Sequence, residues 1–204
     1  MPRLVVVAAL FALAAALSSC GGGPASVLSG AQCLAQLDAE GVVYRTVELG
    51  ALQDQRCQVD TAVKISRAGA GLNHPVTMSC ALASRFDEFE RAAVQKVAMA
   101  DLGRRVVRID HVGAYSCRNS TGRRDQLSEH ARGLAIDISG FGLSDGTSIS
   151  VERDWAPPGP KGDFLRHLAH AACGYFSVVL TPNSNREHFN HVHLDIGPGR
   201  LCSV

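Results

Sequence analysis

His130, Asp137 and His193 give this chain two imidazoles and a carboxylate that can converge on one metal ion. Three nitrogen and oxygen ligands with a fourth position left open describe a catalytic zinc site; a structural site is closed by four ligands, usually with cysteine among them. The chemistry of such a site is hydrolysis by an activated water. His191 and His193 stand two apart, so on a strand both side chains project from one face. Asp137 follows the apolar run Leu134-Ala135-Ile136, where a carboxylate is costly unless paired or metal-bound. His130 lies just ahead of Gly133, whose lack of a side chain permits close backbone approach. His188 and His191 add two imidazoles beside the set, and a neutral imidazole with a pKa near its ordinary value of about 6.5 is a proton carrier at neutral pH. Arg118 can hold a substrate carboxylate or stabilise an oxyanion, and Ser128 can bond substrate or orient His130.

Each residue has a plainer alternative. The three ligands can be a chance grouping of buried polar residues. His188 and His191 can be a loop and a packing histidine, Arg118 half of a surface ion pair, and Ser128 a helix or turn cap. His74, His111, His167 and His170 lack any such pattern and read as structural or surface residues. Asp195 reads as a carboxylate behind His193 or at the surface, and Trp155 as a packing residue of its loop, with the lining of a substrate groove as its other reading.

The elements that must position these groups follow from periodicity. Ala31 to Ala39 reads as a short helix ended near Gly41, and Val42 to Val47 and Val59 to Ile65 as strands. Ser79 to Ala100 is the clearest helix, with Leu82, Phe86, Phe89, Ala93 and Val97 in one apolar stripe and Gly103 as its cap. Arg105 to Tyr115 reads as a strand that enters an irregular segment, Ser116 to Leu127. Gly133 to Ile138 and Ser148 to Val151 are strands with a turn at Asp145-Gly146 between them. A helix over Lys161 to Ala172 and strands over Tyr175 to Leu180 and Val192 to Ile196 complete the chain. Strands interrupted by two long helices imply an α+β fold: a single domain over 31–204, mainly an antiparallel sheet with flanking helices.

A length of 204 residues suffices for one domain with a real core, and a formal charge of +1 with no basic run argues against a nucleic-acid partner. Arg3 and the apolar stretch Leu4 to Leu17 form a leader too short to span a membrane comfortably. Leu17-Ser18-Ser19-Cys20 resembles the bacterial lipobox, which implies a signal peptide over 1–19, a lipidated Cys20 and a Gly/Ser/Pro-bearing tether to residue 30. Gly21, where an aspartate would favour the inner membrane, implies a periplasm-facing domain anchored in the outer membrane. The six remaining cysteines, Cys33, Cys57, Cys80, Cys117, Cys173 and Cys202, read as three disulfides in an exported chain. Sequence alone leaves 15 pairings; proximity suggests Cys33 with Cys57 and Cys173 with Cys202.

Ser128, His130, Gly133, Ala135 and Asp137 match the SxHxxGxAxD motif of LAS-type zinc peptidases, and His191-Val192-His193 matches their later HxH. That group includes D-alanyl-D-alanine carboxypeptidases and dipeptidases, and murein endopeptidases. With Tyr115-Ser116-Cys117-Arg118 upstream and His188-x-x-His191-x-His193 near the end, the chain looks most like the bacterial extensin-like C-terminal family, over nearly all of the domain. The resemblance implies a LAS- or hedgehog-type zinc peptidase fold and zinc held by His130, Asp137 and His193. It also implies a monomer acting on peptidoglycan stem peptides or cross-links. Many LAS peptidases carry a glutamate base three residues before the HxH pair; here His188 stands there. The penicillin-insensitive murein endopeptidases resemble this chain in having histidines at both places, which makes His188 and His191 the expected acid/base or transition-state residues. The alternative is a non-catalytic wall-binding lipoprotein that keeps zinc for stability.

Overall fold

A computed structural model describes residues 29–50 and 54–204; the expected leader, Cys20 and nearly all of the tether lie outside them. The described chain opens with helix α1 (Gly30–Glu40), capped by Ser29 in a reciprocal bond with Gln32 and ended by Gly41 in the left-handed conformation. Strands β1 (Val43–Thr46), β2 (Ala62–Arg67) and β3 (Gly71–Ser79) follow. Next come helices α2 (Cys80–Phe89) and α3 (Gln95–Leu102), joined without a break through a π-helical turn at Glu90–Val94. Strand β4 (Val106–Gly113) leads through the loop to a 3-10 turn at Glu129–Arg132 and into the long strand β5 (Ala135–Leu143). The rest is β6 (Ser148–Ser150), α4 (Val151–Asp154), α5 (Pro160–Ala172), β7 (Val178–Leu180), β8 (Val192–Asp195) and β9 (Leu201–Ser203).

The strands form one sheet in the order β1-β2-β3-β4-β5-β8-β7-β9, with β6 also on β5. The α+β class stands, but the sheet is mixed rather than antiparallel: β3 runs parallel to β4, and β7 to β9. The first exception has a physical cause. A hairpin reverses the chain, whereas a crossover through α2 and α3 returns it in the same sense. Strand β3 went unread because Asn73-His74-Pro75 looks like a loop; Pro75 sits where the pairing with β2 is interrupted, so its missing N–H costs no ladder bond there.

The helices bury one face of the sheet. Phe86 and Phe89 of α2, Val94, and Phe164, Leu165 and Leu168 of α5 pack on Ile109, Ile136, Ile138, Phe141 and Leu194. Trp155 is buried in this core as well and donates to Asn183 Oδ1 at 3.0 Å, so it lines no groove. All six cysteines are paired: Cys33–Cys80, Cys57–Cys117 and Cys173–Cys202. The last pairing was expected; Cys33 with Cys57 is overturned. Cys33 lies on the buried face of α1 against the first residue of α2, while Cys57 lies under the start of the loop after β4.

Candidate metal centre

The site is built on the sheet face opposite the helices. Alternation along β5 sends Ile136 and Ile138 into the core and Asp137 to the other side. In β8, Val192 and Leu194 point into the same core, leaving His191, His193 and Asp195 on the far face. The antiparallel register sets Asp137 directly opposite His193 and Ala135 opposite Asp195. Two residues 56 apart in sequence therefore meet through strand pairing alone.

His130 enters from the 3-10 turn. Ser128 caps that turn by accepting from the His130 N–H at 3.3 Å, and Gly133 ends it in the left-handed conformation. Gly133 meets both of glycine's reasons at once. Its φ is +65°, and a Cβ there would lie 2.8 Å from the Ser79 nitrogen, which donates to the Gly133 carbonyl at 2.9 Å. The turn is thus pressed against the end of β3, and His130 arrives over β5 nearly fully buried.

Three donor atoms converge. His130 Nε2 is 3.2 Å from His193 Nδ1 and 3.2 Å from Asp137 Oδ2, and His193 Nδ1 is 2.9 Å from Asp137 Oδ1. Among the described residues, this trio is the group of metal-ligating side chains that can share one ion. Zinc bonds of 2.0–2.1 Å in tetrahedral geometry set ligand atoms about 3.3 Å apart, so the spacing fits. The opposite ring nitrogens are also occupied. His130 Nδ1 donates to the Ala114 carbonyl at 2.6 Å, and His193 Nε2 donates to Asp195 Oδ2 at 3.1 Å. Each acceptor fixes its ring's tautomer and turns the other nitrogen toward the centre, the arrangement by which imidazole ligands are oriented at metals. Asp195 is itself steadied by the Gly197 N–H at 2.9 Å.

The charges respond to this crowding. Burial works to raise the Asp137 carboxyl, but bonds from His130 and His193 overcome it and hold the group well below the usual carboxylate range. Burial likewise works to lower His193, yet carboxylates at both ring nitrogens push it up to about 9. His188 goes the other way, to about 4, through burial and then the neighbouring His191 and His193. His191 is lowered by burial, against the pull of Asp137.

His188 and His191 border the centre on a short turn. Their ring centroids lie 5.1 Å apart, and the His188 ring is 5.8 Å from that of His193. His188 Nδ1 bonds Asn185 Oδ1 at 2.7 Å, and His191 Nδ1 bonds Asn190 Oδ1 at 2.8 Å, which leaves both Nε2 atoms free as proton acceptors. His191 Nε2 lies 3.6 Å from Asp137 Oδ1. The cluster opens into a cleft of about 600 Å³ lined also by Arg118, Ser128, Glu187 and Arg123. That is room for a ligand of several residues. Arg118 stands exposed at the rim, and Ser128 is spent as the turn cap.

The structure thus brings together six of the residues singled out in the sequence: His130, Asp137, His188, His191, His193 and Asp195. It places the other histidines elsewhere: His111 is buried beside His74, and His167 pairs with Asp101 at 2.9 Å. Sequence reasoning missed Asn185 and Asn190. Asn185 had a readable signal, since it caps the turn that carries His188 by accepting from the Glu187 N–H. The Ala114 carbonyl had none.

The family described as Extensin-like protein C-terminus matches residues 31–203. No curated protein matches the chain, and no solved structure does.

Proposed function

The chain belongs to the extensin-like protein C-terminus family, and from that premise we propose that it is a zinc-dependent peptidase of the LAS/hedgehog type acting on peptidoglycan stem peptides or cross-links. Its domain faces the periplasm from a lipid anchor at Cys20, in the outer membrane. One observation carries the reading. Each imidazole of the trio has its remote nitrogen bonded to a fixed acceptor, so His130 Nε2, His193 Nδ1 and the Asp137 carboxylate face one another in the geometry of a metal site.

Zinc held there would supply Lewis acidity toward an amide carbonyl and bring the pKa of bound water to about 7. The chain's own residues do the rest. Asn185 fixes His188 with Nε2 as an acceptor, and a ring held near 4 is neutral at pH 7, with its lone pair free to accept a bond from the attacking water. Once protonated, such a ring is a strong acid and gives the proton readily to a leaving amine. His191 Nε2, unprotonated and beside Asp137, is placed to accept a bond from the attacking water or to share that proton.

The test is direct. The zinc-loaded protein is incubated with purified sacculi, with and without chelator, and released muropeptides are identified by mass. Peptide release that stops on chelation is the expected result. Binding to sacculi with no product at any zinc loading would instead establish a wall-binding module.

A further inference from the structure

The two sides of the site are carried by unequal amounts of structure. The trio is set by β5, β8 and the 3-10 turn at Glu129–Arg132, all tied into the sheet. His188 instead rides on the connection from β7 to β8, and from Asn185 to Asn190 that connection is mostly exposed. Among the described residues, the hydrogen bonds of 185–191 run within the segment. Glu187 N–H and His188 Nδ1 bond Asn185 Oδ1, His188 N–H donates to the Asn185 carbonyl, His191 N–H to the His188 carbonyl, and His191 Nδ1 bonds Asn190 Oδ1. Such bonds shape a turn without fixing where it stands over the metal centre. At its far end the segment enters β8 at Val192, which settles His191. The place of His188 is inherited from the near end.

There, Thr181 is fully buried and Ser184 half-buried. Both hydroxyls donate to one acceptor, the Ser203 carbonyl of β9, from Thr181 Oγ1 at 3.0 Å and from Ser184 Oγ at 2.9 Å. Each hydroxyl also accepts: Ser184 Oγ from the Thr181 N–H at 2.8 Å, and Thr181 Oγ1 from the Asn183 N–H at 3.3 Å. Ser184 N–H closes the ring on the Thr181 carbonyl at 2.8 Å. A buried polar network satisfied in this way rigidifies what it joins. The acceptor is itself fixed. Ser203 pairs beside Leu180 of β7, and its neighbour Cys202 is disulfide-bonded to Cys173 at the end of α5. The Trp155 bond to Asn183 is a second foothold, but Ser184 is the residue that immediately precedes Asn185, which caps the turn and holds the His188 ring.

We propose that Thr181 and Ser184 are positioning residues: by gripping the Ser203 carbonyl they set the turn that carries His188 over the metal centre, while the trio stands without them. The last strand is then a strut for the proton-moving side of the site alone. The proposal rests on the peptidase reading only for what His188 does once it is placed.

The experiment reads geometry first. In zinc-loaded protein with labelled imidazoles, through-space NMR contacts are recorded between the rings of His188 and His193, whose centroids lie 5.8 Å apart, and between those of His130 and His193, at 5.0 Å. Wild type should show both. Thr181→Val with Ser184→Ala, which strips both donors from the Ser203 carbonyl, should lose the first contact and keep the second, with zinc retained. Thr181→Ser keeps its hydroxyl and should keep both. Turnover of the double variant on sacculi should fall about 10- to 100-fold, the scale of a misplacement of about 1 Å. Added to His188→Gln, the same pair of substitutions should cost nothing further. Both contacts surviving in the double variant overturns the strut. Loss of both overturns it too, because β9 would then be supporting the whole domain. So does loss in Thr181→Ser, which would assign the effect to the methyl group, or a further fall in turnover on the His188→Gln background. Selective loss of the His188 contact, with no release from sacculi by wild type, sinks the peptidase reading and leaves the strut standing. Release by wild type, with both contacts intact in the double variant, does the reverse.

Discussion

Four imidazoles share this cleft, but they are held in two different ways. His130 and His193 owe their orientation to groups distant in sequence or fixed in the sheet: the Ala114 carbonyl, the Asp195 carboxylate, and a strand register that puts Asp137 opposite His193. His188 and His191 are held by the side chains of Asn185 and Asn190, three residues and one residue away on a turn. The first pair is locked by the fold and suited to a metal, which needs donors at fixed separations. The second pair is placed by local bonds, keeps its Nε2 atoms free, and is suited to proton movement. The two pairs also carry opposite charge tendencies, with His193 pushed up to about 9 and His188 down to about 4.

This contrast can be broken at several points. Asp137→Ala removes the one carboxylate of the proposed ligand set, between the two imidazoles; zinc retention and turnover should both vanish, as read by metal content after dialysis and by release from sacculi. His188→Gln and His191→Gln should keep zinc while turnover falls about 10²- to 10⁴-fold. Loss of metal in either variant would move that residue into the ligand set. Asp195→Asn disturbs only the support behind His193, and zinc affinity should drop about 10- to 100-fold in a chelator competition.

Protonation sharpens the same contrast. In zinc-free protein His193 is raised above its ordinary value near 6.5, so its contribution to stability is complete below that pH and is lost as pH climbs through about 9. Asp137 is lowered from its ordinary value near 3.8, so its contribution is present above that pH and is lost on further acidification. His188 and His191 are lowered, so their contribution is present above about 6.5 and is lost as pH falls toward 4. Thermal melts of zinc-free protein should therefore peak near pH 6.5 and decline toward both pH 4 and pH 9, with the His193 part of the alkaline decline worth roughly 3 kcal/mol. Zinc should flatten the alkaline decline, because it takes the place of the proton on Nδ1. The smallest effect belongs to Asn185→Ala, which frees the His188 ring without removing it and should lower turnover only a few-fold, with zinc binding unchanged.

Much of the site was legible because its spacing is short-range. Two histidines at a two-residue step must share a strand face, and a carboxylate after an apolar run must have a partner. Helices α2, α3 and α5 were equally plain from their stripes. What was hidden depends on distant pairing. Nothing local distinguishes Cys57 facing Cys33 from Cys57 facing Cys117, since that choice is made by the loop after β4 folding over the 3-10 turn at Gln55–Cys57. The parallel β3–β4 pair depends on where the helical crossover lands, and short β9 has little pattern of its own beyond the disulfide at Cys202. The Ala114 carbonyl that orients His130 belongs to the backbone, and every residue type offers one.

The ligand set itself is tested most directly by X-ray absorption at the zinc edge of the loaded protein. The account predicts one tightly held ion with two imidazole nitrogens, a carboxylate oxygen and a light-atom ligand from solvent, all near 2.0–2.1 Å. A thiolate shell near 2.3 Å, or a spectrum unchanged in His193→Ala, would contradict it.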